Sequence, residues 1–263
     1  MWQALRTELH PLGVEIVTVS LELSGPDASR PFIEAAAPDH PSLLDPGHQL
    51  CSLFGVVNIP NVVWIDEDGM IVRPAEPGWA GATVYPESVV KLIMERGKRQ
   101  AAARAEAGDT TERPPLAALL AGGQDRDGYP DAIRDWARNG AASPFAMTSD
   151  EVIAASQPRP PEVSQAAAHF ELANHLWRAG DRDAAFVHFN ACHRLQPTNW
   201  TYKRQAWSLV GNERVGGGEL GRFTQVPAPG EEADWPFASN FDASTAALQP
   251  GEYYPKTIEP MKI

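Results

Sequence analysis

LFGVVNIPNVVWIDEDGMIVRPAE, residues 53–76, is the stretch whose reading decides how the first half of this chain folds. Pro60 to Asp66 is rich in β-branched and aromatic residues and has strand length. Glu67-Asp68-Gly69 follows as a turn, and Met70 to Arg73 as the returning strand, an Asp-Gly hairpin signal between apolar residues. Upstream, His48 to Phe54 has helical spacing of Leu50, Leu53 and Phe54, and Gly55 is its C-cap. A calcium loop opening at Asp66 is the competing reading of the acidic turn, but the downstream ligand spacing fails, so the hairpin explains it better.

Working outward, Trp2, Leu5 and Leu9 predict a helix over residues 2–10, ended by Pro11 and Gly13. Val14 to Leu21 is a β-branched run expected to form a buried strand, and Gly25-Pro26-Asp27 makes the turn. Residues 28–37 read as a helix with Phe32, Ile33 and Ala36 inward. Ser42 to Asp45 is a short extended piece closed by Pro46-Gly47. Pro86 to Arg104 reads as a long helix with Val89, Val90, Leu92 and Ile93 on its buried face. Helices alternating with strands define an α/β pattern.

In order and spacing, residues 2–96 resemble the thioredoxin superfamily, in its branch of ResA/TlpA-type and peroxiredoxin-like redoxins. Phe54-Gly55-Val56, Ile59-Pro60, Val62 to Asp66 and Asp68-Gly69 match that family's helix end, proline, apolar strand and glycine turn, and Gly13 to Glu22 matches its earlier strand. The resemblance implies a cis peptide at Pro60, the bland alternative being a trans proline that starts a strand. It also implies that Asn58, Ile59 and Pro60 border a substrate groove.

The family's reactive cysteines sit in a CxxC motif between a central strand and the first helix. Here Met1-Trp2 already falls inside that helix, so the motif and the strand before it have no counterpart in residues 1–263. The expectation is an N-terminally shortened sequence. A strand supplied by another segment or chain, or a rebuilt sheet, would also account for the gap. Cys51 is the remaining catalytic candidate, because His48 lies one helical turn before it and a Cys/His pair is a known way to activate a thiol. Against that, a free cysteine usually packs as a small hydrophobe.

Of 263 residues, 43% are hydrophobic and 21% charged, enough apolar material for a folded core. A net charge of -12 without a basic stripe excludes nucleic acid and anionic membrane as expected partners. No apolar run approaches the roughly 18 residues of a membrane span, and residues 1–6 do not form a signal peptide, so the expected compartment is the cytoplasm. Cys51 and Cys192 lie far apart, which excludes a disulfide framework or a metal set. No cofactor is expected: Gly216-Gly217-Gly218 reads as a loop without a phosphate-binding pattern.

The second half reads as helical. Residues 109–160 form a linker with short helices, one of them Asp131 to Arg138. Within 161–212, Leu172-Ala173, Leu176, Gly180, Ala185, Phe189, Cys192 and Pro197 resemble one tetratricopeptide repeat, with His169 in place of its first Trp. The expected form is a hairpin, Pro161 to Ala179 against Arg182 to Leu195, covered by a helix over Trp200 to Val210. Ala173, Ala185 and Cys192 take the small positions. His169, His175, His188 and His193 fall on different faces and form no metal set. Residues 213–263, with Trp235-Pro236-Phe237 and Tyr253-Tyr254-Pro255, read as a coil wrapping a domain or as a partner-binding tail.

The expected architecture is therefore an α/β thioredoxin-like domain over residues 1–108 and an all-α part with a tetratricopeptide-like hairpin. The resemblance implies a thiol-disulfide oxidoreductase or antioxidant type, with activity reduced or lost in this chain for want of the CxxC. The alternative is a non-catalytic interaction module using the groove and the hairpin. Expected partners are protein thiols or disulfides, another protein, or a second copy completing the sheet.

Overall fold

The computed structural model describes residues 1–81, 87–106, 108, 118, 128–211, 232–246, 248–249, 251–255 and 258. Pro86, residues 109–117, 119–127 and 212–231, and the side chains of Val89 and Leu92 lie outside them. The elements are α1 (Trp2–Leu9), β1 (Thr18–Ser20), α2 (Pro26–Ala36), β2 (Ser42–Leu44), α3 (Gln49–Phe54), β3 (Asn61–Ile65), β4 (Ile71–Pro77), α4 (Glu87–Glu106), α5 (Gly128–Asn139), α6 (Ser149–Ser156), α7 (Pro161–Ala179), α8 (Arg182–Leu195), α9 (Trp200–Gly211) and α10 (Phe241–Thr245). An α/β half thus precedes a helical half. None of these helices is long and apolar enough to cross a membrane.

The strands form two small sheets. β1 and β2 run parallel, with Val19 opposite Leu43, and β3 and β4 run antiparallel, with Trp64 opposite Arg73. The Asp-Gly turn closes as read: Asp66 Oδ1 accepts from the Asp68 and Met70 amides, and Gly69 takes a positive φ of 78°.

The Val14 to Leu21 run departs from expectation. Only Thr18–Ser20 is strand, and it is not buried: Val17 is 51% and Val19 38% exposed. Val14 and Ile16 pack instead on the first core. Register partners share a sheet face, so Val19 and Leu43, both exposed, form an apolar face open to solvent. Thr18, Ser20, Ser42 and Leu44 occupy the other face, where Ser20 Oγ meets Ser29 Oγ of α2 at 2.7 Å. Of the three apolar residues of α2 read as inward, only Ile33 is partly buried. Phe32, read as buried, is 50% exposed, and Ala36 is also exposed.

The first core joins Leu5 and Leu9 of α1, Trp64 of β3, and Tyr129, Ala132 and Ile133 of α5, with Ile258 reaching in from the tail. Trp64 stacks on Trp136 at 5.2 Å and donates Nε1–H to the Tyr129 hydroxyl at 3.0 Å. Helix α5, read within a linker, is therefore built into the α/β half, and Arg134 pairs with Glu8 of α1 at 2.8 Å. Beneath Trp64, Arg73 and Glu76 form a buried ion pair at 2.5 Å, and Arg73 also donates to the Phe145 carbonyl at 2.9 Å.

The second core lies in the helical half. α7 starts with Pro161 in its first turn and ends at Gly180, whose φ of 88° lets its N–H return to the last carbonyls of the helix. Asp181 then caps α8 by accepting from the Ala184 amide at 3.3 Å. Ala166 and Ala173 on α7 and Ala185 and Cys192 on α8 are fully buried, which brings the helices close enough for Phe170 and Phe189 to meet edge-on at 5.8 Å. Trp207 of α9 and Phe237, Phe241, Tyr253 and Tyr254 from the tail complete this core, as does Trp79 from the α/β half.

Candidate functional site

The segment from His48 to Pro60 lies where the two cores meet. Asp45 sets its start. Its carboxylate accepts from the amides of Gln49 at 2.9 Å, Leu50 at 2.8 Å and Cys51 at 3.3 Å, so the free donors at the head of α3 are taken. At the other end Gly55, with a φ of 75°, closes the helix and releases the chain toward Pro60.

Cys51 does not occupy a reactive setting. It is 2% exposed, its thiol donates to the Val56 carbonyl at 3.0 Å, and Thr201 Oγ1 lies 3.4 Å away. Burial pushes the thiol up to about 12; the Thr201 hydroxyl offsets this in part, and the Asp45 charge adds to it. A helix N-terminus normally favours thiolate; here the carboxylate of Asp45 has claimed it. His48 is the base that the one-turn spacing offered. Its ring lies edge-on to Phe170 at 4.9 Å and 6.1 Å from Tyr202. Neither ring nitrogen has a hydrogen-bond partner among the described residues. Burial drives it down to about 4, partly offset by Asp45, so it is neutral at physiological pH and unpaired with the thiol. The expected Cys51/His48 pair is therefore not formed, because the helical half has closed over both. Cys192 is likewise buried in the hairpin, with its thiol raised by desolvation.

Of the three residues expected to border a groove, Asn58 and Ile59 are bonded to the chain itself. The Val57 carbonyl accepts from the Trp200 amide at 2.6 Å and the Thr201 amide at 3.2 Å, so the first turn of α9 is seated on this segment. Asn58 is buried; its Nδ2 donates to the Tyr253 carbonyl at 2.8 Å, while its Oδ1 accepts from the Ile59 amide at 2.9 Å and from the Arg204 guanidinium. The Ile59–Pro60 peptide is cis. The carbonyl of Ile59 accepts from the Tyr254 hydroxyl at 2.7 Å. Around these bonds stands an aromatic wall. Trp79 meets Tyr254 edge-on at 5.3 Å, Trp200 meets Tyr253 at 4.8 Å, and the Arg204 guanidinium lies 5.8 Å from the Tyr253 ring centre.

Reasoning along the sequence missed Asp45, Trp79, Trp200, Thr201, Arg204 and the two tyrosines as members of this site. Tyr253-Tyr254-Pro255 stood out as an aromatic cluster, but nothing local ties it to residues 195 positions earlier. Among the described residues no three His, Cys, Asp or Glu side chains are grouped as a metal set would be. His169 and His188, read as lying on different faces, instead meet across the hairpin, with a hydrogen bond between their Nδ1 atoms at 2.8 Å. Comparison of the chain with protein-family models, curated proteins and solved structures gives no match.

Proposed function

We propose that this chain is a thioredoxin-like protein of the redoxin type joined to a tetratricopeptide-like hairpin, acting as a non-catalytic protein-interaction module. The fold reading rests on the helix and strand order, the parallel β1–β2 and antiparallel β3–β4 pairs, and the position of Pro60 at the head of β3. The functional reading rests on one observation: the backbone carbonyl ahead of Pro60 is satisfied by Tyr254, while the nearby thiol of Cys51 is sealed under α9. A thiol that stays protonated at physiological pH is neither a nucleophile nor a leaving group in disulfide exchange. Thiol-disulfide chemistry on this scaffold would need an attacking cysteine other than Cys51 and Cys192.

Insulin reduction and peroxide reduction, run on the chain and on Cys51→Ser, test this reading. Equal rates at the buffer background are expected. A rate above background that disappears in Cys51→Ser would overturn it.

A further inference from the structure

Tyr253 and Tyr254 belong to the second core, yet each is also held by a directed hydrogen bond to the segment ahead of β3. A turn prepares the tail: the Gln249 amide donates to Glu252 Oε2 at 2.8 Å, the Glu252 amide returns to the Gln249 carbonyl at 3.1 Å, and Gly251 takes a φ of 88°. The turn projects two adjacent tyrosines, whose rings lie perpendicular at 4.7 Å. Each is read by one polar contact and one aromatic surface. Asn58 reads the Tyr253 carbonyl while Trp200 and Arg204 receive its ring; Ile59 reads the Tyr254 hydroxyl while Trp79 receives its ring. The reading groups are themselves fixed, since Asn58 and Arg204 are buried and hydrogen-bonded to each other.

We propose that Asn58, Ile59, Trp79, Trp200 and Arg204 form a peptide-binding site for a turn-forming segment with two consecutive tyrosines, presented by a protein partner, and that Tyr253-Tyr254 is its resident occupant. This deepens the interaction-module reading and rests on it. Selectivity follows from the chemistry. A phenylalanine at the second position leaves the Ile59 carbonyl without its donor, a loss of roughly tenfold in affinity. Because the resident tail is tethered, it competes at an effective concentration on the order of millimolar, so an outside segment gains access only when the tail is displaced.

The test uses fluorescence anisotropy with a dye-labelled peptide PGEYYPKTI, the sequence of residues 250–258, and the full-length chain. The peptide is expected to bind Tyr253→Ala/Tyr254→Ala at least about tenfold more tightly than the unmodified chain. A peptide with alanine at both tyrosines should not bind, and one with phenylalanine at the second should bind roughly tenfold more weakly. No binding to a double variant that still unfolds cooperatively, or equal binding to it and to the unmodified chain, overturns the proposal. If the double variant does not fold, Tyr254→Phe, which removes one oxygen, takes its place: tighter binding than to the unmodified chain supports the site, and unchanged binding overturns it. Failure here leaves the inert thiol of Cys51 untouched, whereas Cys51-dependent reduction would remove the functional reading itself.

Discussion

The hydroxyl of Tyr254 donates to the carbonyl of Ile59 across 2.7 Å, joining the tail to the segment ahead of β3. With the Asn58–Tyr253 bond beside it, this contact fastens the end of the helical half onto the α/β half. Tyr254→Phe keeps the ring and deletes the donor, leaving a partly buried acceptor unpaired. A loss of about 1–2 kcal/mol is expected, read as a lower midpoint in urea with an unchanged slope.

Gly78 tests the packing of the first core. A Cβ built there would lie 2.6 Å from Cζ of Tyr129 and 2.7 Å from Cγ2 of Val62. Tyr129 is held in place by the indole of Trp64. Gly78→Ala should therefore cost about 1–3 kcal/mol in guanidinium unfolding and shift the tryptophan emission, because Trp64 must move with Tyr129.

The Arg73–Glu76 pair gives a sharper signature. Arg73→Met strands a buried carboxylate and should cost about 3–5 kcal/mol. Replacing both partners by methionine should recover part of that loss, since two apolar groups need no desolvation of charge, while the Phe145 carbonyl still lacks its donor. Thermal unfolding of the two single variants and the double variant closes the cycle.

Histidine burial sets the acid limb of stability. His48 is held at about 4 and His193, against Trp207 and Phe237, at about 3, both below the usual 6.5 because burial disfavours the cation. The unfolded chain therefore takes up these protons first. Their stabilisation is intact above pH 6.5 and is lost as pH falls through the folded values near 4 and 3. The His48 share is on the order of 3 kcal/mol. In His48→Asn, which retains tolerance for the positive φ of 54° at this position, urea stability should fall less steeply between pH 6.5 and 4.

The thiols give a direct chemical check. Neither Cys51 nor Cys192 should react with a disulfide reagent in the native chain near neutral pH, and both should react once denaturant opens it. Rapid labelling of Cys51 under native conditions would contradict its placement under Thr201.

The helical hairpin was legible in the sequence because its signals are local. Pro161, Gly180 and the small residues Ala173, Ala185 and Cys192 act within one or two turns of themselves, and the helix ends fall at Pro161–Ala179 and Arg182–Leu195. The β3–β4 hairpin was legible for the same reason at Asp68-Gly69. Val14 to Leu21 misled because β-branching reports strand propensity but not how many neighbours a strand will find. Phe32 misled because helical periodicity marks which residues share a face but not how far the surface beneath extends: Ile33 is partly buried and Phe32 is 50% exposed. Asn58, Ile59 and Pro60 could be placed together by adjacency, and Cys51 near them. What covers them could not, since α9 and the tail return from beyond residue 199 and no local pattern encodes that approach.

Tyr253 and Tyr254 occupy the face of Asn58 and Ile59. Nuclear Overhauser contacts in a chain labelled selectively at tyrosine, asparagine and isoleucine report this directly. Cross-peaks from the Tyr254 ring to Ile59 and from Tyr253 to Asn58 are predicted. Sharp, random-coil tyrosine signals with no such cross-peaks would contradict it.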